Sequence, residues 1–275
     1  MRAVIAIAVV ALAVPLQAQT LKTAGAIVSD SEDGPPIGNG TFQPGETVFF
    51  SFRVESYRMA VNGKVQITGH VQAFDVNGTP VMPRDEELIG TTVSQEDKDW
   101  KPKLRSQFQV PSIAPPGNYV IRFEAIDQLS HQTASGEAAF TVGGKGVAKA
   151  ESLTIRNLGF YRSQEDEAAL KIAAYRPGDM MWVRFDMTGY KYGEQNSIDV
   201  GYNVEVQSPS GKQMFAEENA AVEKSQAFYP QPWIPAMFNL SLQPDTPTGT
   251  YALVITAHDT VGNQMAIGRA EFKVE

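Results

Sequence analysis

The chain has 275 residues, 43% of them hydrophobic, and a formal net charge of −8. That is enough apolar material for two domains of ordinary size, while the acidity disfavours nucleic acid and anionic membrane, which both recruit basic surface. Cysteine is absent, which excludes disulfide staples, lipid attachment through a thiol and Cys-ligated zinc.

The N-terminus reads as an export signal. Arg2 is followed by an unbroken apolar run from Ala3 to Val14, then Pro15, then Leu16-Gln17-Ala18 with a small residue where a signal peptidase cuts. The run falls short of the roughly 20 apolar residues that a membrane span needs. Cleavage after Ala18 is expected, which places the protein in the periplasm or outside the cell with no membrane span.

From there the hydrophobic period is two, the signature of half-buried strands. A first strand is expected near Ala26 to Val28. Val48, Phe50, Phe52 and Val54 alternate with polar residues, as do Val65, Ile67, Val71 and Ala73. Asn77-Gly78 marks a tight turn. Phe108 and Val110, then Tyr119, Ile121, Phe123 and Ala125, then Ala138, Phe140 and Val142 complete the pattern. Gly143-Gly144-Lys145-Gly146 reads as a linker.

The pattern then repeats at a constant offset. Glu32-Asp33 falls on Glu165-Asp166, Pro44-Gly45 on Pro177-Gly178, Phe52 on Phe185, Tyr57 on Tyr190, Val71 on Val204 and Trp100 on Trp233. After one lost residue, Gly117 falls on Gly249, Tyr119 on Tyr251, Asp127 on Asp259 and Phe140 on Phe272. One register held across a whole unit means duplication. The expected organisation is residues 1–18 signal peptide, 19–143 first unit, 144–150 linker and 151–275 second unit. Two segments have helical composition. Glu165 to Ala174 aligns with the Gly/Pro-rich stretch Asp33 to Thr41 and so reads as a loop, whereas Glu217 to Lys224 reads as a turn of helix in a long connection.

Gly117-Asn118-Tyr119 running to Ala125-Ile126-Asp127, repeated as Gly249-Thr250-Tyr251 running to Ala257-His258-Asp259, resembles the sixth strand of immunoglobulin-like domains. The resemblance extends to tandem bacterial modules of that kind. It implies an all-β chain of two immunoglobulin-like antiparallel β-sandwiches of about seven strands each. It also implies that Tyr119 and Tyr251 fold back onto backbone as tyrosine corners. Ile121 and Leu253 stand where antibody domains carry a cysteine, and no Trp occupies the third strand.

Catalytic constellations are hard to find. His70, His131 and His258 have no metal-ligand spacing, no Gly-x-Ser-x-Gly elbow occurs, and the glycine run lacks Walker spacing. His70, out of phase with Val71, should face solvent. Asp30, Glu32 and Asp33, with Glu165, Asp166 and Glu167, form acidic loops that read as solvated surface rather than a cation site. Asp127 and Asp259 read as structural, fixing turns through their own backbone.

The aromatic loops divide two ways. Trp100 and Trp233, equivalent in the repeat, could each plug the edge of their own sandwich. Alternatively Phe228, Tyr229 and Trp233, with Tyr190 and Tyr192 beside them, form an aromatic platform for sugars or protein. The expected function is therefore a non-catalytic exported module that binds a protein or cell-surface component without a cofactor. The alternative is a carbohydrate-binding accessory recognising a surface polysaccharide. An enzyme with an unfamiliar site is the third reading.

Overall fold

The computed structural model describes residues 20–38, 40–94, 96, 97 and 99–275; the export segment read at 1–18 lies outside them. The first half of the chain runs β1 (Lys22–Ser29), β2 (Thr41–Phe42), β3 (Thr47–Glu55), β4 (Lys64–Phe74), β5 (Asp85–Thr92), β6 (Lys103–Gln109), β7 (Gly117–Asp127) and β8 (Thr133–Val142). The second half repeats it as β9 (Thr154–Tyr161), β10 (Ala174–Tyr175), β11 (Met180–Thr188), β12 (Ile198–Gln207), β13 (Gln213–Ser225), β14 (Trp233–Ser241), β15 (Gly249–Asp259) and β16 (Gln264–Val274).

Each half is a two-sheet sandwich. A three-stranded sheet, β1-β3-β6 or β9-β11-β14, faces a five-stranded one, β2-β8-β7-β4-β5 or β10-β16-β15-β12-β13. Strands that alternate in sequence alternate in burial: Val48, Phe50, Phe52 and Val54 point inward along β3, and Tyr119, Ile121, Phe123 and Ala125 along β7. Phe50, Phe52 and Phe123 pack with ring centroids 4.7–5.9 Å apart in the middle of the first core. Phe185, Tyr202 and Phe238 do so at 5.0–6.3 Å in the second. Each such side chain contributes about 1.5–3 kcal/mol by leaving water.

The expected all-β fold of about seven strands per half is present; among the described residues each half has eight, because the two-residue β2 and β10 add to the edge. Four details differ. β2 and β10 pair parallel with the last strand, Phe42 opposite Val142 and Tyr175 opposite Val274, so the larger sheets are mixed. The first strand is longer than Ala26 to Val28 and carries a bulge between Ala24 and Ile27. Glu217 to Lys224 is not helical but lies inside β13, with Glu217 opposite Val204 and Lys224 opposite Asp199. There the backbone ladder with β12 overrides the helical preference of Ala, Glu and Lys. His70 does not face open water: its side chain is only 16% exposed, with Glu86 at 3.0 Å and Glu124 at 3.4 Å.

The repeated Gly-x-Tyr has a local cause. Gly117 and Gly249 sit at φ +143° and +153°, where a Cβ would stand 2.5 Å from Val76 or Pro209. Two residues on, the buried Tyr119 hydroxyl donates to Pro115 O at 2.8 Å, and Tyr251 donates to Pro247 O at 2.8 Å. Tyr119→Phe and Tyr251→Phe should each lower unfolding free energy by about 1 kcal/mol, the net value of one such bond. Denaturant midpoints measure it, and unchanged midpoints would mean that the phenol bonds contribute nothing.

Candidate functional site

The strand ends carry a polar frame that holds the loops. Asp127 is 1% exposed. Its carboxylate accepts Leu129 N at 2.9 Å, Ser130 Oγ at 2.6 Å and, from the loop after β3, Arg58 N at 2.7 Å. Asp259, equally buried, accepts Gly262 N at 3.0 Å, Gln264 Nε2 at 3.0 Å and Lys191 N at 2.9 Å. Several donors offset the cost of burying each acid. Gln132 and Gln264 extend the frame by accepting Leu21 N and Leu153 N at 2.7 and 2.9 Å. Sequence reasoning missed this pair, although the repeat register aligns them.

The acidic loops are also occupied by protein. Asp33 bonds Lys103 and lies 3.2 Å from Arg105, and those bonds hold its pKa near 2. The Asp166 carboxylate accepts Ser163 Oγ and the amides of Arg162 and Ser163, which likewise lowers its pKa. Among the described residues no three His, Asp or Glu gather as metal ligands. His70 lies on β4, His131 in the β7–β8 turn and His258 on β15.

The aromatic residues singled out from sequence split into inward and outward groups. Trp233 opens β14, opposite Thr188, and is only 8% exposed. Tyr190 is 5% exposed and donates its hydroxyl to Gln231 O. Tyr192 donates to the same carbonyl at 2.5 Å and stands edge-on to Tyr190. Tyr190 and Tyr192 therefore support the 226–232 loop through one carbonyl, Tyr190 from a buried position and Tyr192 with 39% of its surface still exposed. Trp100, in the equivalent loop of the first sandwich, is 38% exposed and edge-on to Tyr57, whose hydroxyl bonds Trp100 O at 2.6 Å. It half-covers the sandwich edge and does not plug it.

Phe228 and Tyr229 point the other way. Pro230 and Pro232 stiffen the loop, and Asn196 Nδ2 holds Phe228 O at 2.7 Å. The Tyr229 ring packs against the core of the first sandwich, and its hydroxyl donates to Asp75 Oδ2 at 2.9 Å. Asp75, 7% exposed, uses Oδ1 to accept Asn77 N and Thr79 N at 2.8 Å each. The turn is thus fixed before the phenol arrives. Burial first, and the Asp75 charge second, push the Tyr229 pKa far above the ordinary phenol value.

Beside this contact the two sandwiches leave a cleft of about 880 Å³, within the size range of ligand sites. Phe228, 51% exposed, and Tyr229 form one lip. Val81, Met82 and Phe108 form an apolar floor, and the β6 segment through Gln107 and Gln109 forms a wall. Three of the charges lining the cleft are held within the protein: Arg105 pairs with Asp33, Arg84 with Glu124, and Asp85 accepts the Ser106 hydroxyl at 2.7 Å, while the exposed Glu32 also lines it. A second groove, of about 860 Å³, runs between residues 145–147 and the outer face of β11 and β14. There Arg184 covers the Tyr161 ring at 4.2 Å, and Asp186, its pKa raised by burial, accepts Asn157 Nδ2 at 2.7 Å.

No family model and no curated protein matches this sequence. Among solved structures, the chain is similar to the C-terminal domain of the Streptococcus pyogenes antigen I/II-family protein AspA. The match has 9% identity and a TM-score of 0.32 over 94% of this chain and 100% of that one. Another is the Pseudomonas fluorescens alkylpurine DNA glycosylase AlkC bound to DNA containing an abasic site analog. It has 13% identity and a TM-score of 0.28 over 45% of this chain and 30% of that one. At these scores neither bears on what this chain binds.

The buried phenols give a test by pH. Burial raises Tyr190, Tyr192, Tyr202 and Tyr229 above the ordinary phenol value near 10, and Tyr175 to about 12. A raised folded pKa favours the neutral phenol, so this stability is present below pH 10 and is lost as pH rises above it. Phenolate absorbance should therefore lag in the native protein and jump on alkaline unfolding. Full titration of all nine tyrosines near pH 10 with circular dichroism unchanged would contradict these environments.

Proposed function

We propose that the chain is an exported, non-catalytic binding module built on two tandem immunoglobulin-like sandwiches, spanning 19–143 and 151–275, and that it binds a protein partner in the cleft between them. The single observation that carries the reading is the Phe228-Tyr229 lip. A loop of one sandwich closes a cleft on the other and leaves a half-exposed phenylalanine at its mouth. Single-body folding does not require an exposed ring there, and exposed aromatics beside an apolar floor are the usual anchors of protein recognition.

Export rests on the N-terminal pattern Arg2, Ala3 to Val14 and Leu16-Gln17-Ala18. No helix among the described residues is long and apolar enough to cross a membrane. The carbohydrate alternative needs open ring faces. Trp233 and Tyr190 are buried and Tyr161 is covered by Arg184, so the exposed rings of the second sandwich's aromatic loops reduce to Phe228 and Tyr192. Phe228 stands beside the apolar floor of Val81, Met82 and Phe108, which favours a protein partner over a polysaccharide.

The test is retention from envelope extract and from insoluble glycans by the chain starting at Gln19, beside Phe228→Ala. Phe228 lies outside both cores, so its truncation should leave the melting temperature within a few degrees of the parent. The expected result is a protein partner retained by the parent and lost, or weakened at least about tenfold, by the variant. Equal retention by both would remove the cleft from the site. Glycan retention with no protein partner would restore the carbohydrate reading.

A further inference from the structure

The cleft wall has a property that side chains do not supply. Among the described residues β6 is the outer strand of its sheet and pairs only with β3. Val54 N bonds Pro102 O at 3.0 Å and Val110 N bonds Glu46 O at 2.9 Å, so residues 102 to 110 of even number turn their backbone groups toward β3. In an antiparallel ladder the alternate residues must turn theirs the opposite way. The odd-numbered residues of β6 therefore face the free edge.

That edge is closed at both ends and open between. At one end Arg105 N is taken by Glu87 Oε2 of β5 at 2.5 Å, and Asp33 bridges Lys103 and Arg105 just outside. At the other end Pro111 has no N–H to offer. Gln107 and Gln109 lie between, and among the described residues their backbone amides meet no acceptor. Proteins normally cover or blunt an unpaired edge with charges, prolines or a neighbouring segment. Here both blunting devices flank a two-residue window, and the window opens into the 880 Å³ cleft.

We propose that this window receives an extended strand of the partner protein, which adds to β6 through the main-chain groups of Gln107 and Gln109. This rests on the reading of the cleft as a protein-binding site and deepens it by naming what enters. Two donor–acceptor pairs at a two-residue spacing match a strand and no globular surface. Alternate side chains of the added strand would point between the sheets onto Val81, Met82 and Phe108, and so must be apolar. The strand must also be uncharged at those positions, because Arg84, Arg105 and Asp85 on the wall already have partners inside the protein. Phe228 caps the strand where it leaves the cleft.

The experiment is selection of a peptide-display library on the immobilised chain, followed by synthesis of enriched peptides with blocked ends. The parent should enrich sequences with apolar residues at alternate positions. Their binding should weaken about tenfold when alternate peptide amides are N-methylated, and by a similar factor on Gln107→Pro. Proline is tolerated on an edge strand whose N–H faces outward, and the N-methylated peptide tests the same bonds without touching the fold. Amide hydrogen exchange supplies the direct signature: Gln107 and Gln109 should exchange freely alone and become protected with peptide. No enrichment, indifference to N-methylation, or unprotected amides would each overturn strand addition. Loss of the extract partner on Phe228→Ala alongside unprotected amides would refute the strand while leaving the cleft as the site. Protected amides with an extract partner indifferent to Phe228→Ala would keep the strand at the window and overturn the role of Phe228 as its cap.

Discussion

The hydrogen bond from Tyr229 to Asp75 joins residues 154 apart in the chain and ties one sandwich to the other. It brings a phenol and a carboxylate together where both are largely removed from water. Its cost is low because each partner is organised beforehand. Asp75 is held by its own turn through Asn77 and Thr79, and the Tyr229 loop is held by Pro230, Pro232 and the carbonyl that Tyr190 and Tyr192 share. Charge-assisted bonds in low dielectric are about twice as strong as neutral ones. Without it, nothing on the second sandwich would close the cleft beside β6.

The contact also shows what duplication allows. Both copies keep the tyrosine corner and the buried Asp that clamps its loops, because these stabilise any sandwich of this kind. The junction is built from what differs. The turn after β4 carries Asp75, with one carboxylate oxygen to spare, whereas the equivalent turn of the second copy carries Ser208, whose Oγ accepts Lys212 N. The loop before β14 carries two prolines and the Phe228-Tyr229 pair, whereas the loop before β6 is charged around Trp100. One copy supplies the Asp75 turn and the other the Phe228-Tyr229 loop, so the two units share one contact although each keeps its own core.

The sandwich architecture was legible in the sequence because a half-buried strand writes its burial as alternation, and the repeat let each copy confirm the other's phase. Where alternation fails, the reading failed. β13 is exposed along nearly its whole length, so Glu217 to Lys224 shows no period of two and its Ala/Glu/Lys composition suggests helix. The aromatic cluster was legible as a cluster but not as a direction. Whether Tyr190 or Trp233 faces water depends on Gln231 and on strand pairing with Thr188, contacts set by the fold and not by local spacing. The open window on β6 was invisible for a different reason: it is made of backbone, which every sequence possesses.

A double-mutant cycle on Tyr229→Phe and Asp75→Asn, read from unfolding free energies, tests the junction most directly. Both substitutions keep the shape of the side chain and remove the phenol donor or the carboxylate charge. The junction described here predicts that the two losses are coupled by about 1–3 kcal/mol, the double variant being little worse than the poorer single one. Losses that add to within about 0.5 kcal/mol would mean that phenol and carboxylate do not meet in solution. The cleft between the sandwiches would then lose its lip.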